Sequence, residues 1–483
     1  MQHRTVRSRT VLLAGVSTAA LVLAGCADTS TQVSSRQKAV QAADQSVKFK
    51  SCGSQCTGEI DGAKYAIKLP SKWNGTLLLY SHGYRFAAPA PPDFGPVDTN
   101  PQVSSTDPDG SATDPLSTAL LNEGYALAGS AYKSNGWAVA DGVKAGEQLH
   151  DKFVQLVGKP KRTYVWGDSL GGLITEVLAE QNPSWVDGSA PMCGALAGPN
   201  YNFDAALDVA FAVKTLIDPQ LKLTGYTSDA DAASNWQQAS AAVQQAAADT
   251  AGGGTAKVVF IASLVDAPTA TKTYDGHDLT SQVKARVEAL LTALAFGTSG
   301  RYELEQRVGG DPSDNTKADY NSRIDASEAN LIALAGGNVA ALEKTLNAAP
   351  RISADSSARD AIEQLGDTTG ALIAPTVTMH TQSDPLVLVQ NETVFSDRVS
   401  AKQQAGKLVQ LYIAPPLTYS ESTGAPYGAG HCVFSDEQRE GLVTALDNWV
   451  RRNVYPTQVG LARVIGEGLN PVYVPGPWPG NES

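Results

Sequence analysis

Gly167-Asp168-Ser169-Leu170-Gly171 stands directly after a strand-like run, Arg162–Trp166, and directly before a helical pattern, Leu170–Gln181. A serine held on so tight a strand-to-helix turn has strained backbone angles, so its neighbours must be small, and Gly167 and Gly171 meet that need. The start of the helix aims N–H groups and the positive end of its dipole at the oxyanion that forms when a hydroxyl attacks a carbonyl. A bare Gly-x-Ser-x-Gly recurs by chance, and the strand–turn–helix context is what makes Ser169 a candidate nucleophile rather than a structural turn residue.

Such a serine needs a base, and the base needs an orienting acid. Downstream, Ala371–His380 reads as a strand, and Asp384 follows it where a strand-end carboxylate belongs; Asp397 and Glu421 are stand-ins, and Asp384 also fits a turn ahead of Pro385. After the next strand, Leu408–Ile413, comes Gly428-Ala-Gly430-His431-Cys432, leading into a helix over Ser435–Arg452. His431 is the only histidine beyond His380, so the chain order of the candidates is Ser169, Asp384, His431. His82 precedes the nucleophile and reads as a shaper of its loop rather than as the base. His150, on a helical pattern, reads as solvated. Asp311, Asp314 and Asp319 lack the glycine-centred loop of a calcium site and read as a solvated acidic stretch.

The elements that must position these groups alternate. Strand-like runs at Lys64–Leu69, Thr76–Ser81, Tyr125–Ala131, Arg162–Trp166 and Gly188–Cys193 are interleaved with helices at Leu116–Asn122, Gly142–Val157 and Leu170–Gln181. Continuous apolar strands such as Thr76–Ser81 belong in a parallel sheet covered on both faces. From about residue 201 to 370 the chain becomes Ala-rich and helical, with Lys257–Ala262 as the one possible strand. The strand–helix rhythm then returns, with a helix over Val394–Ala405, and a Pro-rich tail, Pro471–Pro479, closes the chain.

This pattern resembles the α/β-hydrolase superfamily, and more narrowly the secreted actinobacterial serine hydrolases. The resemblance covers about 64–197 and 371–453, with the helical stretch in the place of the family's lid or cap. It implies a mostly parallel central sheet covered by helices, with 51–200 and 371–483 as the catalytic domain and 201–370 as the cap. It also implies Ser169 as nucleophile, Asp384 as acid and His431 as base. The His82-Gly83 match implies an oxyanion hole from the backbone N–H groups of Tyr84 and Leu170. The long gap between Asp384 and His431, with Pro415-Pro416 and a Gly/Ser-rich loop, departs from the family pattern.

The chain has 483 residues, ordinary globular composition and a net charge of −12, which disfavours nucleic acid as a partner. Arg4, Arg7 and Arg9 precede an apolar stretch, Val11–Gly25, too short to span a membrane comfortably. It ends in Leu23-Ala24-Gly25-Cys26 and resembles a bacterial lipoprotein signal, with 1–25 removed, Cys26 lipidated and 26–50 a polar tether; a plain secretory signal is the alternative. Both place the protein outside the cell, the first as a lipid-anchored membrane protein. With Cys26 used, Cys52, Cys56, Cys193 and Cys432 remain, and four cysteines in an oxidising compartment allow three disulfide connectivities. A local Cys52–Cys56 loop is favoured, leaving Cys193–Cys432, over free thiols or a zinc site. In the implied fold both members of the second pair lie near the site, so that bond would pin the His431 loop. The expected activity is cofactor- and metal-free hydrolysis of a carboxylic ester through an acyl-enzyme. The alternatives are an exported aminopeptidase acting on short peptides, with Glu303, Glu305 or Asp319 gripping the substrate amine, and a non-catalytic ligand-binding lipoprotein.

Overall fold

The computed structural model describes residues 51–107, 114–276, 278–416 and 427–480. The expected leader and tether, with Cys26, and the stand-in Glu421 lie outside the described residues. The described residues form eight strands: β1 (Gln55–Ile60), β2 (Ala63–Lys68), β3 (Thr76–Ser81), β4 (Ala126–Ser130), β5 (Arg162–Asp168), β6 (Gly188–Met192), β7 (Thr376–Thr381) and β8 (Leu408–Ile413). They form one sheet in the order β1-β2-β4-β3-β5-β6-β7-β8. The first two pairings are antiparallel and all the rest parallel. This is the α/β-hydrolase fold. Parallel strands need crossovers, and helices α1 (Pro115–Asn122), α2 (Val139–Leu156) and α3 (Leu170–Gln181) provide them in the first half.

Side chains alternate between faces, so the apolar run of β3 serves two cores. Leu77 and Leu79 pack with Val165, Phe153 of α2 and Leu173 of α3. Leu78 and Tyr80 pack on the opposite face with Tyr164, Trp166 and Leu446 of α13 (Asp436–Arg452). A strand buried on both faces carries no alternating pattern, which is why Thr76–Ser81 reads as continuous apolar sequence.

Between β6 and β7 run eight helices: α4 (Gly198–Leu216), α5 (Asp229–Ala248), α6 (Gly254–Ser263), α7 (Leu279–Ala295), α8 (Arg301–Val308), α9 (Ala326–Leu334), α10 (Val339–Ala348) and α11 (Ser356–Gln364). A π turn, Phe296–Gly300, joins α7 to α8. Of these, α4–α7, α9 and α10 build a second core around Phe211, Phe260, Leu290 and Leu294, while α8 and α11 bury Leu304 and Ile362 in the core of β3 and α2. Within the second core Arg323 and Asp208, both nearly inaccessible, pair at 2.6 Å. Helix α12 (Asn391–Ala401) precedes β8, and α14 (Gln458–Ile465) packs on α13.

Four details depart from expectation. Lys257–Ala262 lies in helix α6, where Val258–Ala262 is buried on all sides; an apolar run without periodicity does not distinguish a strand from a fully buried helix. Strand β7 begins only at Thr376, after Pro375, so 371–375 are not strand. The edge strand β1 is mostly exposed and the amphipathic α14 is short, and neither stands out in the sequence. His150 is not solvated: its ring is buried, stacked on Trp185 at 4.1 Å.

Candidate active site

Ser169 sits between β5 and α3 with φ 60° and ψ −126°, left-handed territory that an L-residue enters at a cost. The turn is tight because it packs against the end of β3. A Cβ on Gly171 would run into the Ser81 and His82 carbonyls, and one on Gly167 into the Ser81 carbonyl. The Ser169 N–H donates to the Met192 carbonyl at 2.9 Å, tying the turn to the end of β6. Tyr80 donates its hydroxyl to Asp168 Oδ2 at 2.7 Å, securing the residue before the serine.

The loop after β3 lies against Ser169: a methyl group on Gly83 would stand 3.2 Å from Ser169 Cβ. His82 shapes this loop. Its buried ring stacks on Tyr132 at 3.9 Å, its Nδ1 meets the Gly83 carbonyl at 2.7 Å, and its own carbonyl accepts from the Tyr132 hydroxyl at 3.0 Å. Burial, and then the nearby Arg85 charge, push the ring down to about 3, so it stays neutral. The Leu170 N–H is the first of its helix and has no carbonyl one turn earlier to bond. Leu170 and Tyr84 both border the cavity that Ser169 lines.

Asp384 follows β7 in a turn that its own side chain stabilises, Oδ1 accepting from the Leu386 and Val387 N–H groups at 2.9 Å each. His431 Nδ1 lies 2.8 Å from Asp384 Oδ2 and 3.1 Å from Oδ1. Burial alone would raise the Asp384 carboxyl, but the His431 and His380 rings outweigh it and hold it well below the usual carboxylate range. Asp397, the described stand-in, is exposed on α12.

The His431 loop is anchored on three sides. Gly430 N–H donates to Ser383 O at 2.7 Å, and Thr381 Oγ1 donates to Gly430 O at 2.9 Å. Behind it α13 starts in a capping box, with Ser435 Oγ accepting from Gln438 N–H at 3.1 Å and the Gln438 side chain accepting from Ser435 N–H at 2.9 Å. The disulfide Cys193–Cys432, with Cα atoms 5.4 Å apart, joins the residue after Met192 to the residue after His431. One short path therefore links the two groups, from Ser169 through the Met192 carbonyl and the disulfide to His431. The second disulfide is Cys52–Cys56. Among the described residues the Ser169 hydroxyl makes no hydrogen bond to His431, whose Nε2 lies 3.4 Å from Cys432 Sγ. Without substrate such bonds are often long, and they tighten when the substrate is bound.

The cavity over Ser169 comprises about 790 Å³ of empty space, its open mouth included. Its walls come from α4 and α7 (Phe203, Val209, Leu290), from the turn after Asp384 (Leu386, Leu388), and from Trp478 in the Pro-rich tail. Among the described residues no charged side chain lines it. The acidic residues considered for gripping an amine do not line it and are engaged by other groups. Glu303 accepts from Arg307 at 2.6 Å and from the Trp137 N–H at 3.0 Å, Glu305 from Arg301 at 3.0 Å, and Asp319 from the Asn321 N–H at 2.9 Å. Nor do the other two candidates for a calcium loop converge on one point. Asp311 pairs with Arg301, and Asp314 accepts from Thr316 and Ala354 N–H groups.

Two site neighbours carry no sequence signal. His380, inside β7, and Glu392, in the first turn of α12, are fully buried and stand behind Asp384.

No family model matches the chain, and no curated protein matches it. Among solved structures it is similar to feruloyl esterase B from Aspergillus oryzae (13% identity, TM-score 0.44, covering 83% of this chain and 81% of that one). It is also similar to an esterase from Aspergillus oryzae (13%, TM-score 0.37, 82% and 78%) and to the rice cell wall degrading esterase LipA from Xanthomonas oryzae (12%, TM-score 0.33, 73% and 78%).

Proposed function

We propose that this protein is a serine hydrolase of carboxylic esters with an uncharged, largely apolar acyl group. Ser169 attacks the ester carbonyl while His431 takes its proton, and Asp384 holds the imidazole tautomer and stabilises the imidazolium. The N–H groups of Tyr84 and Leu170 receive the oxyanion, an interaction typically contributing roughly 10²–10³-fold per donor. The protonated His431 then gives its proton to the leaving alcohol. Water, deprotonated by the same ring, releases the acid and restores the serine.

The observation that carries this reading is the Asp384–His431 pair at 2.8 Å, with its loop cross-linked to the strand end that holds Ser169. The uncharged cavity favours an ester over a peptide with a free amine, because burying an unpaired ammonium among apolar walls is costly. The test is to assay p-nitrophenyl acyl esters beside aminoacyl p-nitroanilides, with Ser169→Ala as control. Ester turnover that vanishes in the variant supports the reading; preferred anilide cleavage, or ester turnover retained by the variant, overturns it.

We also infer export, with lipid attachment at Cys26. The two disulfides favour an oxidising compartment, in keeping with the Leu23-Ala24-Gly25-Cys26 sequence. Labelled fatty acid should enter the wild type and not Cys26→Ser; equal labelling of both would overturn the assignment.

A further inference from the structure

His380 has no part in the proton path just described, yet it is completely buried between two carboxylates. Its Nε2 faces the Val387 carbonyl at 2.9 Å and Asp384 Oδ2 at 3.6 Å, and its Nδ1 faces Glu392 Oε1 at 3.4 Å. Both nitrogens thus meet oxygens that only accept. A neutral imidazole would turn one lone pair toward such an oxygen, whereas an imidazolium donates from both sides. Glu392 is arranged as an anion, its Oε2 accepting from Thr378 Oγ1 at 2.6 Å and from Gln410 Nε2 at 2.7 Å. Asp384 is held by two backbone N–H groups and by His431.

We propose that His380 is a positioning residue acting through Asp384: its ring is a fixed cation that cancels Glu392, so that Asp384 presents one net negative charge, in one orientation, to His431. The inference rests on the serine-hydrolase reading above. Burial opposes charge on the ring, but Asp384 and Glu392 prevail and push it up to about 9. Glu176 on α3 and Tyr412 on β8 also feel the Glu392 charge. Burial, and then Glu180, push Glu176 up to about 8, and burial, and then Glu392, keep Tyr412 well above its usual range, so neither adds a charge near pH 7. The Asp384–His380–Glu392 cluster therefore carries one net negative charge. That charge is neutralised when His431 takes the proton from Ser169. With Glu392 uncancelled, the cluster would over-stabilise the His431 imidazolium; with Asp384 cancelled instead, it would under-stabilise it.

Charge balance gives a test with opposite signs. The acidic limb of the pH dependence of kcat/KM reports the ionisation of His431 in the free enzyme. His380→Gln should move this limb up by about one pH unit and Glu392→Gln should move it down by a similar amount, each with kcat reduced about tenfold and KM within about twofold. The double variant His380→Gln/Glu392→Gln should return the limb to its wild-type position. If one single variant does not fold, the direction of the other decides. An unmoved limb, shifts of both singles in one direction, or a double variant that does not return overturns the proposal. Ser169→Ala is assayed alongside. If it keeps turnover, the hydrolase reading fails; if it is inactive and the limbs do not behave as stated, only the role of His380 fails.

Discussion

Replacing both Cys193 and Cys432 by alanine should cost stability and, separately, activity. The bond closes a sequence separation of 239 residues. In the chain-entropy model a loop of that size removes about 18 cal/mol/K from the unfolded chain, or about 5.5 kcal/mol at 25 °C. Set against a typical total of about 5–15 kcal/mol, this is a large share. Residual structure in the unfolded state reduces such effects, so a loss of about 3–5 kcal/mol is expected in urea unfolding. Activity should fall further than the unfolded fraction explains. Cys432 neighbours His431, and Cys193 follows the Met192 carbonyl that holds the Ser169 N–H. Under conditions where the variant is still fully folded, kcat for an ester should drop at least about tenfold, as expected when a catalytic group loses its alignment. Cys52→Ala/Cys56→Ala is the control. Its separation is 4, which the same model values at about 2 kcal/mol, and it lies away from the cavity, so kcat should not change. A Cys193→Ala/Cys432→Ala protein with wild-type kcat would refute the argument that this bond aligns the imidazole with the serine. An unchanged urea midpoint would refute the entropy estimate.

Other outcomes can be checked with the same assays. Asp384→Asn puts an amide donor in place of the Oδ2 acceptor facing His431 Nδ1, so kcat should fall by about 10⁴ with KM little changed; a loss below about tenfold would point away from this acid. Glu176 is buried, accepts from Ser189 at 2.8 Å and has its carboxyl pushed up to about 8 from 4.5, burial first and Glu180 second. A carboxyl whose folded value lies above its unfolded one imposes no ionisation cost below pH 4.5, and the cost grows up to about pH 8. Glu176→Gln should therefore raise Tm more at pH 8.5 than at pH 4.5, and an equal effect at both would refute it. Gly171→Ala places a methyl group against the Ser81 and His82 carbonyls, so it should lower Tm and abolish reaction of Ser169 with a fluorophosphonate; wild-type labelling would show that the turn is looser than described.

Much of the site is readable from the chain because the encoding is local. About twenty residues, from Arg162 to Gln181, contain a strand, a turn that only small flanking residues permit, and a helix, and Ser169 stands at their junction. Capping likewise gives the start of α13, since Ser435 and Gln438 satisfy each other's backbone partners within one turn. The Ser169, Asp384, His431 order and the alternating elements of a two-face-covered sheet come from the same kind of short-range pattern.

Tertiary structure alone settles what depends on distant segments sharing one low-dielectric interior. Which carboxylate meets His431 depends on β7 and β8 lying side by side: Asp384 is buried in the turn after β7 against His431, whereas Asp397 is exposed on α12. His380 looks like any strand residue until α12 folds over β7 and leaves its ring no partners but oxygens. The apolar run in α6 becomes a helix because α4, α5, α7, α9 and α10 pack around it, not because of any period in its sequence. The glutamates and arginines of α8 pair with one another, and among the described residues none of them lines the cavity, an arrangement that composition does not reveal. Periodicity and turn chemistry act over a few residues and are written in the chain, whereas burial, charge pairing and cavity shape arise only when segments hundreds of residues apart exclude water together.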